Sequence, residues 1–196
     1  MRDLLMLAIC LTVWKRPDCL LKLVKSLTRL RGLMDWQLFV QLEPSACQST
    51  MISILRNACL PCKVHFSCNE VRQGVRSNPF LCLERAFGLG AEAFLLLEDD
   101  LLLSADSLEF VRHCLSIRDW DQAYACGNLH FSTCFNHAHI QCWGKSGDDF
   151  GAVALETYFL SSLGLFFSRY QYVNFIRPHW WDQRLLIRSF SGDRVA

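Results

Sequence analysis

Residues 93–103 read Ala93-Phe94-Leu95-Leu96-Leu97-Glu98-Asp99-Asp100-Leu101-Leu102-Leu103, an apolar run that contains three consecutive carboxylates. Unbroken apolar runs of this kind are typical of a strand that is buried on both faces of a sheet. Three consecutive carboxylates would be expensive to bury, so we predict that they lie at the end of the strand. Ligands of open α/β sheets bind at that edge, where carboxylates suit a hard divalent cation that also takes water and phosphate oxygens. The alternative is an acidic turn with solvated side chains.

Length and composition indicate one globular domain spanning residues 1–196. Hydrophobic residues make up 52% of the chain and charged residues 20%, which argues against a disordered protein. Lys and Arg total 20 against 19 for Asp and Glu, so the chain has no strong electrostatic preference for nucleic acid or for an acidic surface. We therefore expect no nucleic-acid partner.

The eleven cysteines do not resemble a disulfide framework, because their number is odd and they fall within apolar stretches. We predict that most are reduced, small core residues. Cys59 and Cys62 have C-x-x-C spacing, yet no second pair follows at the spacing of a zinc site. A metal or redox role for this pair is therefore disfavoured.

The apolar run at residues 4–13 is too short to span a bilayer, and no small-residue cleavage site follows it. It is better interpreted as the first buried strand. On this basis the sequence predicts a cytoplasmic protein with no membrane segment.

Strand-like and helix-like patterns alternate along the first two thirds of the chain. The apolar runs typical of strands are residues 4–13, 36–42, 62–66 and 93–97. Pro17 is predicted to open the first helix, and Asn78 with Pro79 to begin the third, after a polar loop at residues 69–78. The alternation predicts an α/β fold with a mainly parallel, Rossmann-like sheet flanked by helices.

The pattern changes after residue 126. Residues 127–150 read as a long polar loop, residues 155–167 as strand-like and residues 169–176 as a short helix. The loop contains His130, His137 and His139, which are interpreted either as metal ligands or, with more support from their neighbours, as ordinary polar loop residues.

Trp180-Trp181-Asp182 places two indoles beside a carboxylate near the end of the chain. This composition suits a site that grips the face of a sugar next to a general base. A tryptophan-rich core corner in which Asp182 caps a helix is the alternative.

Three stretches, in this order along the chain, carry a family resemblance. They are Glu98-Asp99-Asp100-Leu101 with Ala105-Asp106 and Phe110, then Tyr158-Phe159 with Leu163-Gly164, and finally Trp181-Asp182. Together they resemble the inverting β-1,2-N-acetylglucosaminyltransferases of the mannosyl-glycoprotein N-acetylglucosaminyltransferase I type, which have the GT-A fold and transfer GlcNAc from UDP-GlcNAc. The resemblance implies a GT-A-like domain.

On the donor side, the resemblance implies that Asp100 is the direct ligand of Mn²⁺ (or Mg²⁺). It implies that Glu98 and Asp99 contact the sugar and the ribose of the donor. Arg16 aligns with a family arginine at the nucleotide, and Glu43 stands where the family has an aspartate that reads uracil.

On the acceptor side, the resemblance implies that Asp182 is the general base that deprotonates the acceptor hydroxyl. Trp181 and Leu163 would then line the pocket for the acceptor and the donor sugar. One base and one cation satisfy the chemistry of displacement at an anomeric carbon.

Departures from the family accompany these matches. Gln183 and Arg184 replace the second acidic residue and second tryptophan of the family's W-D-D-W, and Cys82 replaces a histidine on the nucleotide side. The chain also stops soon after Asp182, so the C-terminal part of the family's catalytic region is expected to be missing. If the chain is a fragment of a longer eukaryotic enzyme, the resemblance implies a Golgi-type membrane location.

The sequence therefore predicts a metal-dependent inverting glycosyltransferase with a UDP-sugar donor, GlcNAc by resemblance, and a glycan or glycoconjugate acceptor. A nucleotidyltransferase would also use carboxylates at a strand end, but it would want a glycine- and lysine-rich loop where this chain has Trp14-Lys15-Arg16-Pro17. A non-catalytic nucleotide-sugar or glycan-binding module is the third interpretation. The G-x-G-x-x-G, Walker and G-x-S-x-G motifs are absent from the sequence.

Overall fold

The computed structural model describes residues 6–124, 126–129, 141–143, 154–156 and 164–181. Its strands are β1 Met6–Val13, β2 Trp36–Leu42, β3 Lys63–Cys68, β4 Ala91–Glu98, β5 Gly127–Asn128, β6 Gln141–Trp143, β7 Ala154–Glu156 and β8 Leu165–Ser168. Its α-helices are α1 Pro17–Leu27, α2 Gln48–Asn57, α3 Gly74–Gly88, α4 Ser107–Ser116, α5 Trp120–Ala123, α6 Arg169–Gln171 and α7 Arg177–His179. A 3₁₀ turn at Leu33–Asp35 precedes β2, and a π-helical segment, Tyr172–Ile176, joins α6 to α7.

Six of the strands form one mixed sheet in the order β3-β2-β1-β4-β8-β5. The first four are parallel to one another, whereas β8 runs antiparallel to both β4 and β5. β6 and β7 pair separately as an antiparallel ribbon. This mixed, mainly parallel sheet with flanking helices confirms the predicted fold class.

The core lies on both faces of the sheet, because neighbouring residues of a strand point to opposite sides. On β1, Ile9 and Leu11 pack with residues of α1, α2 and α4, while Ala8 and Cys10 pack with residues of α3 and of the π-helical segment. All four of these β1 side chains are completely buried. Two-sided burial explains why β1 and β4 are continuous apolar runs rather than alternating patterns.

Two helix starts were predicted from proline, with different outcomes. α1 begins at Pro17, as expected for a residue whose missing N–H falls in the first turn. The prediction for α3 was wrong, because this helix begins at Gly74 and contains Pro79 within it. Residues 74–78 are therefore helix rather than loop, and the hydrogen bonds responsible are described with the site below.

The later predictions are confirmed in part. Helix begins at Arg169, as expected, and continues through the π-helical segment to His179. β7 and β8 account for the two ends of the run at residues 155–167. His130, His137 and His139 lie outside the described residues.

Nine cysteines have described side chains, and all nine are free thiols, as predicted. The prediction that most are core residues is wrong for these nine, because only Cys10, Cys82 and Cys114 are buried, whereas Cys59 and Cys68 are exposed. In the part of the chain that the structure covers, no helix has the length and apolar character needed to cross a membrane.

Candidate functional site

The carboxyl ends of β1, β2, β3 and β4 meet along one edge of the sheet. Thr12 on β1 pairs with Glu98, the last residue of β4, and Val13 pairs with Leu42, the last residue of β2. The turns that follow these strands therefore lie side by side. Such an edge is where open α/β sheets bind ligands, and the change of direction in strand order falls between β1 and β4.

Arg16 joins the turn after β1 to the turn after β4. Its guanidinium donates one hydrogen bond to Asp99 and another, of 2.6 Å, from Nη1 to Oδ2 of Asp100. The backbone N–H of Trp14 donates to the other oxygen of Asp99 at 2.9 Å. These three contacts tie the two turns together across the point where the strand order changes direction.

The two carboxylates of this cluster differ in exposure. The side chain of Asp99 is 1% exposed, while those of Asp100 and Arg16 are 39% and 43% exposed. Burial raises the pKa of Asp99, although the Trp14 N–H and the Arg16 charge act in the opposite direction. Burial lowers the pKa of Arg16, but the two carboxylates outweigh it and the net shift is upward. Asp99 therefore fixes the turn, and Asp100 is the carboxylate that a ligand can reach.

Glu43 follows β2 along the same edge, but its surroundings are different. The residue is 3% exposed, and its oxygens accept hydrogen bonds from the backbone N–H groups of Gln73 and Gly74 and from Nδ2 of Asn69. The bond from Gly74 is the shortest of these at 2.6 Å. A carboxylate at a helix N-terminus is stabilised by the unsatisfied N–H groups and by the helix dipole. Glu43 therefore explains why α3 begins at Gly74.

Gly74 itself suits this helix start, since its φ of +81° lies in the left-handed region that favours glycine. Behind it, Asn69 also donates to Asn78 at 2.7 Å and accepts from Gln41 at 2.6 Å. Asn78, predicted to cap a helix, is instead a buried member of this network inside α3. The network holds residues 69–74, here called the anchored segment, against the end of β2.

Two cations of this edge contact one indole. Nζ of Lys15 lies 4.0 Å from the centre of the Trp14 ring, and Cζ of Arg72, from the anchored segment, lies 4.2 Å from it. Lys15 has a φ of +27°, which is unusual for a residue with a side chain. Trp14 is half-buried, while both cations are exposed.

Trp180 and Trp181 lie beside the first turns of α3. The Trp180 indole donates to the backbone carbonyl of Arg76 at 3.0 Å, and the Arg76 guanidinium donates to the carbonyl of Trp180 at 3.1 Å. Trp181 is 50% exposed and packs edge-on against Phe80, with ring centres 5.3 Å apart. An exposed indole is thus held at the end of α3 that Glu43 caps.

The structure brings together some of the predicted site residues and separates others. Arg16, Asp99 and Asp100 form one cluster, and Glu98 ends the strand that leads into it. Glu43 lies on the same edge within its own hydrogen-bond network, so its predicted contact with a base stays a prediction. Leu163 and Asp182 lie outside the described residues.

Sequence reasoning missed the contact of Lys15 and Arg72 with Trp14. The signal available was their position, because both follow strands predicted to be parallel, and turns after parallel strands share one edge. The loop with Arg72 was recognised only as polar. The proximity of Arg72 to Trp14 could not be predicted without knowing the path of the anchored segment in the structure.

The carboxylates at this edge of the sheet can be compared with the ligands that the implied Mn²⁺ or Mg²⁺ requires. Within the described ranges, no three His, Cys, Asp or Glu side chains converge as a metal site. Cations that bind substrate phosphates use only one or two carboxylates and keep their other positions for water and phosphate. Asp100, with Asp99 beside it, fits such an open site and does not fit a closed protein cage.

No family model matches the chain, and no curated protein matches it. Similar solved structures include residues 1–349 of S. aureus TarS in complex with UDP-GlcNAc, which is 18% identical over 57% of this chain and 31% of that chain, with a TM-score of 0.47. Another is the mannosyltransferase PcManGT from Pyrobaculum calidifontis in complex with GDP-Man and Mn²⁺, which is 10% identical over 58% of this chain and 32% of that chain, with a TM-score of 0.49.

The match therefore spans about a third of the length of each of these two solved chains. Identities below 20% and TM-scores below 0.5 make both likenesses too distant to assign a function.

Proposed function

We propose that the chain is a metal-dependent, inverting glycosyltransferase domain with a GT-A-like fold. Its donor is a UDP-sugar, with GlcNAc as the sugar suggested by the family resemblance, and its acceptor is a hydroxyl of a glycan or glycoconjugate. The observation that carries the proposal is the cluster of Arg16, Asp99 and Asp100 across β1 and β4, at the change of strand direction.

The cluster offers what a nucleoside diphosphate-sugar site needs at this position. Asp99 is locked in place by Trp14 and Arg16, while the side chain of the neighbouring Asp100 is 39% exposed. Asp100 would hold Mn²⁺ or Mg²⁺, and the cation when bound would neutralise charge on the diphosphate. Arg16 is exposed enough to contact a phosphate as well as the carboxylates.

The other donor-side roles differ in support. Asp99 has both oxygens engaged by protein donors, which supports positioning of the cluster over a direct contact with ribose. Glu98 ends β4 beside the cluster and remains the proposed contact for the donor sugar. Glu43 is engaged by the anchored segment, which supports an indirect contribution to nucleotide binding.

The acceptor side depends on Trp181, Leu163 and Asp182. The half-exposed indole of Trp181 supports a role in packing against a sugar face, since indoles combine an apolar surface with a polar N–H. Asp182 follows it directly and is proposed as the base that removes the acceptor proton. Leu163 is proposed to line the same pocket.

A non-catalytic nucleotide-sugar-binding module is the second candidate, because Arg16 already pairs with Asp100, the proposed metal ligand, as well as with Asp99. Thermal stability and release of UDP, both measured with UDP-GlcNAc and MnCl₂ or EDTA, distinguish the candidates. An enzyme is stabilised by donor with Mn²⁺ and releases UDP, whereas a binding module is stabilised without release. Absence of stabilisation by any UDP-sugar would contradict both candidates.

Asp182→Asn tests the proposed base. The variant should bind donor like the wild type and lose transfer by roughly 10²- to 10⁴-fold, the contribution of positioned proton transfer. If Asp182 only caps a helix, the substitution should be nearly silent, because asparagine caps about as well as aspartate. Transfer rates at saturating donor and acceptor decide between the two roles.

A further inference from the structure

The side chains of Trp14, Lys15 and Arg72 have no role in the site described so far. We propose that they form an anion clamp for the diphosphate of the donor, and that Glu43 positions Arg72 within it by holding the anchored segment. This inference rests on the proposed function, because it assigns a ligand to the same edge of the sheet.

The first support is the convergence of two cations on one ring. Lys15 and Arg72 each lie about 4 Å from the centre of the Trp14 indole, so their charges are at most about 8 Å apart. The negative face of an indole attracts a cation, but the two like charges repel each other. An anion bound to both would replace this repulsion with attraction.

The second support is the absence of acidic partners for this pair. Among the residues that the structure describes, no carboxylate forms a salt bridge with Lys15 or Arg72. Arg16, the next residue along, is paired with Asp99 and Asp100 instead. Within the described part of the chain, the charges on Lys15 and Arg72 are therefore available to bind an anionic ligand.

The third support is position. Lys15 and Arg16 are consecutive, so the clamp adjoins Asp100, the carboxylate proposed to hold the metal. A diphosphate near Asp99 and Asp100 would be repelled by them unless cations offset their charge. Lys15 and Arg72 supply two such cations, and their planar and compact charged groups both bind phosphate oxygens well.

Local strain also points to this turn. Lys15 adopts a φ of +27°, a conformation that side chains rarely adopt and that costs free energy. Residues in such conformations cluster at ligand-binding sites, where the surrounding structure holds them. Here the neighbouring N–H of Trp14 is fixed by Asp99, which holds the backbone on one side of Lys15.

Glu43 enters through the anchored segment. Arg72 directly precedes Gln73, whose N–H lies 3.0 Å and 2.9 Å from the two oxygens of Glu43. Asn69, three residues before Arg72, also donates to Glu43. Both sides of Arg72 are thus held by one buried carboxylate, so Glu43 is a positioning residue that acts through Arg72.

Calorimetric titration with inorganic pyrophosphate, UDP and uridine tests the clamp. Arg72→Gln and Lys15→Asn remove one charge each, and asparagine tolerates the left-handed backbone at position 15. Each variant should bind pyrophosphate and UDP roughly 10- to 100-fold more weakly, the loss expected for a hydrogen bond to a charged group, with uridine binding unchanged. Arg56→Gln is the matched control, because Arg56 lies over the Phe66 ring away from this edge, and it should bind like the wild type.

The role of Glu43 is tested by combining substitutions. Glu43→Gln should weaken pyrophosphate binding in the wild-type background and have no further effect in the Arg72→Gln background. A purely structural role would weaken pyrophosphate binding equally in both backgrounds. That result would overturn the positioning role.

The outcomes separate this inference from the proposed function. If the wild type turns over a UDP-sugar but Arg72→Gln and Lys15→Asn bind UDP normally, the clamp is wrong and the glycosyltransferase proposal stands. If pyrophosphate binding depends on both cations but no UDP is released from any donor, the clamp stands and the enzyme proposal is wrong. If the wild type binds neither pyrophosphate nor UDP, both are wrong.

Discussion

Two carboxylate sites lie on the same edge of the sheet, one after β4 and one after β2. At the first, Asp99 and Asp100 are held by one half-exposed arginine, and Asp100 keeps access to solvent. At the second, Glu43 is buried, and its oxygens accept from two backbone N–H groups and one amide. The same chemical group therefore serves as a candidate ligand site at one strand end and as a structural anchor at the next.

The difference follows from which donors reach each carboxylate. Backbone N–H groups at a helix start are fixed and cannot leave, so a carboxylate that satisfies them contributes to stability. A guanidinium on a flexible side chain can be shared with a ligand or displaced by one. An acidic residue after a parallel strand thus indicates a possible site, and its hydrogen-bond donors show which kind of site it is.

The largest expected effect concerns Asp100. Asp100→Ala should abolish Mn²⁺-dependent binding of UDP, because the exposed carboxylate of the cluster is removed. Its ion pair with Arg16 is exposed and worth about 0–1 kcal/mol, so the free energy of unfolding should change little. Calorimetry with UDP and MnCl₂, alongside urea unfolding, measures both quantities, and unchanged metal-dependent affinity would remove Asp100 as the ligand.

The next effect concerns Glu43. Glu43→Ala leaves the partly buried N–H groups of Gln73 and Gly74 without their acceptor, at about 1–3 kcal/mol for each group. We expect the free energy of unfolding to fall by about 3 kcal/mol. The matched control is Glu109→Ala, which removes a carboxylate from an exposed pair with Arg31 and should cost under about 1 kcal/mol. Equal losses in the two variants would mean that Glu43 is not an anchor.

The smallest expected effect is the pH dependence that comes from Asp99. Its pKa is raised by burial, so its contribution to stability is fully present below the unfolded pKa of about 3.9 and is lost as pH rises through the folded value. Asp99→Asn cannot lose a proton and should lack this decline. Urea unfolding of both proteins is measured at a series of pH values from 3.5 upward. The free energy of unfolding of the variant should increase relative to that of the wild type as the pH rises. A difference that stays constant with pH would show that burial does not govern this carboxyl.

Much of the fold could be predicted from local sequence. The apolar runs of β1 and β4, the helix start at Pro17 and the position of Asp99 and Asp100 after β4 were all predicted correctly. Each of these features depends on residues within one element. Burial on one or two faces sets the spacing of the apolar residues in a strand or helix, and a proline or a capping residue marks where a helix begins. Parallel pairing then follows from the alternation of strands and helices.

The candidate site was predictable only in part. That Arg16 and the carboxylates share one edge follows from parallel strands, but the pairing of Arg16 with both carboxylates does not. The start of α3 was misplaced because proline and asparagine are strong local signals, whereas the determining contact comes from Glu43, 30 residues before Gln73. Helix-start signals read from neighbouring residues cannot include a carboxylate that is distant in sequence.

The sequence by itself thus determined the elements, their alternation and the presence of acidic residues at a strand end, since these depend on neighbours within one or two turns of chain. Tertiary structure decided which carboxylate is an anchor, which is open to a ligand, and that Lys15 and Arg72 meet on Trp14. The physical reason is that hydrogen bonds and charge contacts at a sheet edge form between turns that are remote in sequence. Their partners are set by the path of the chain in three dimensions.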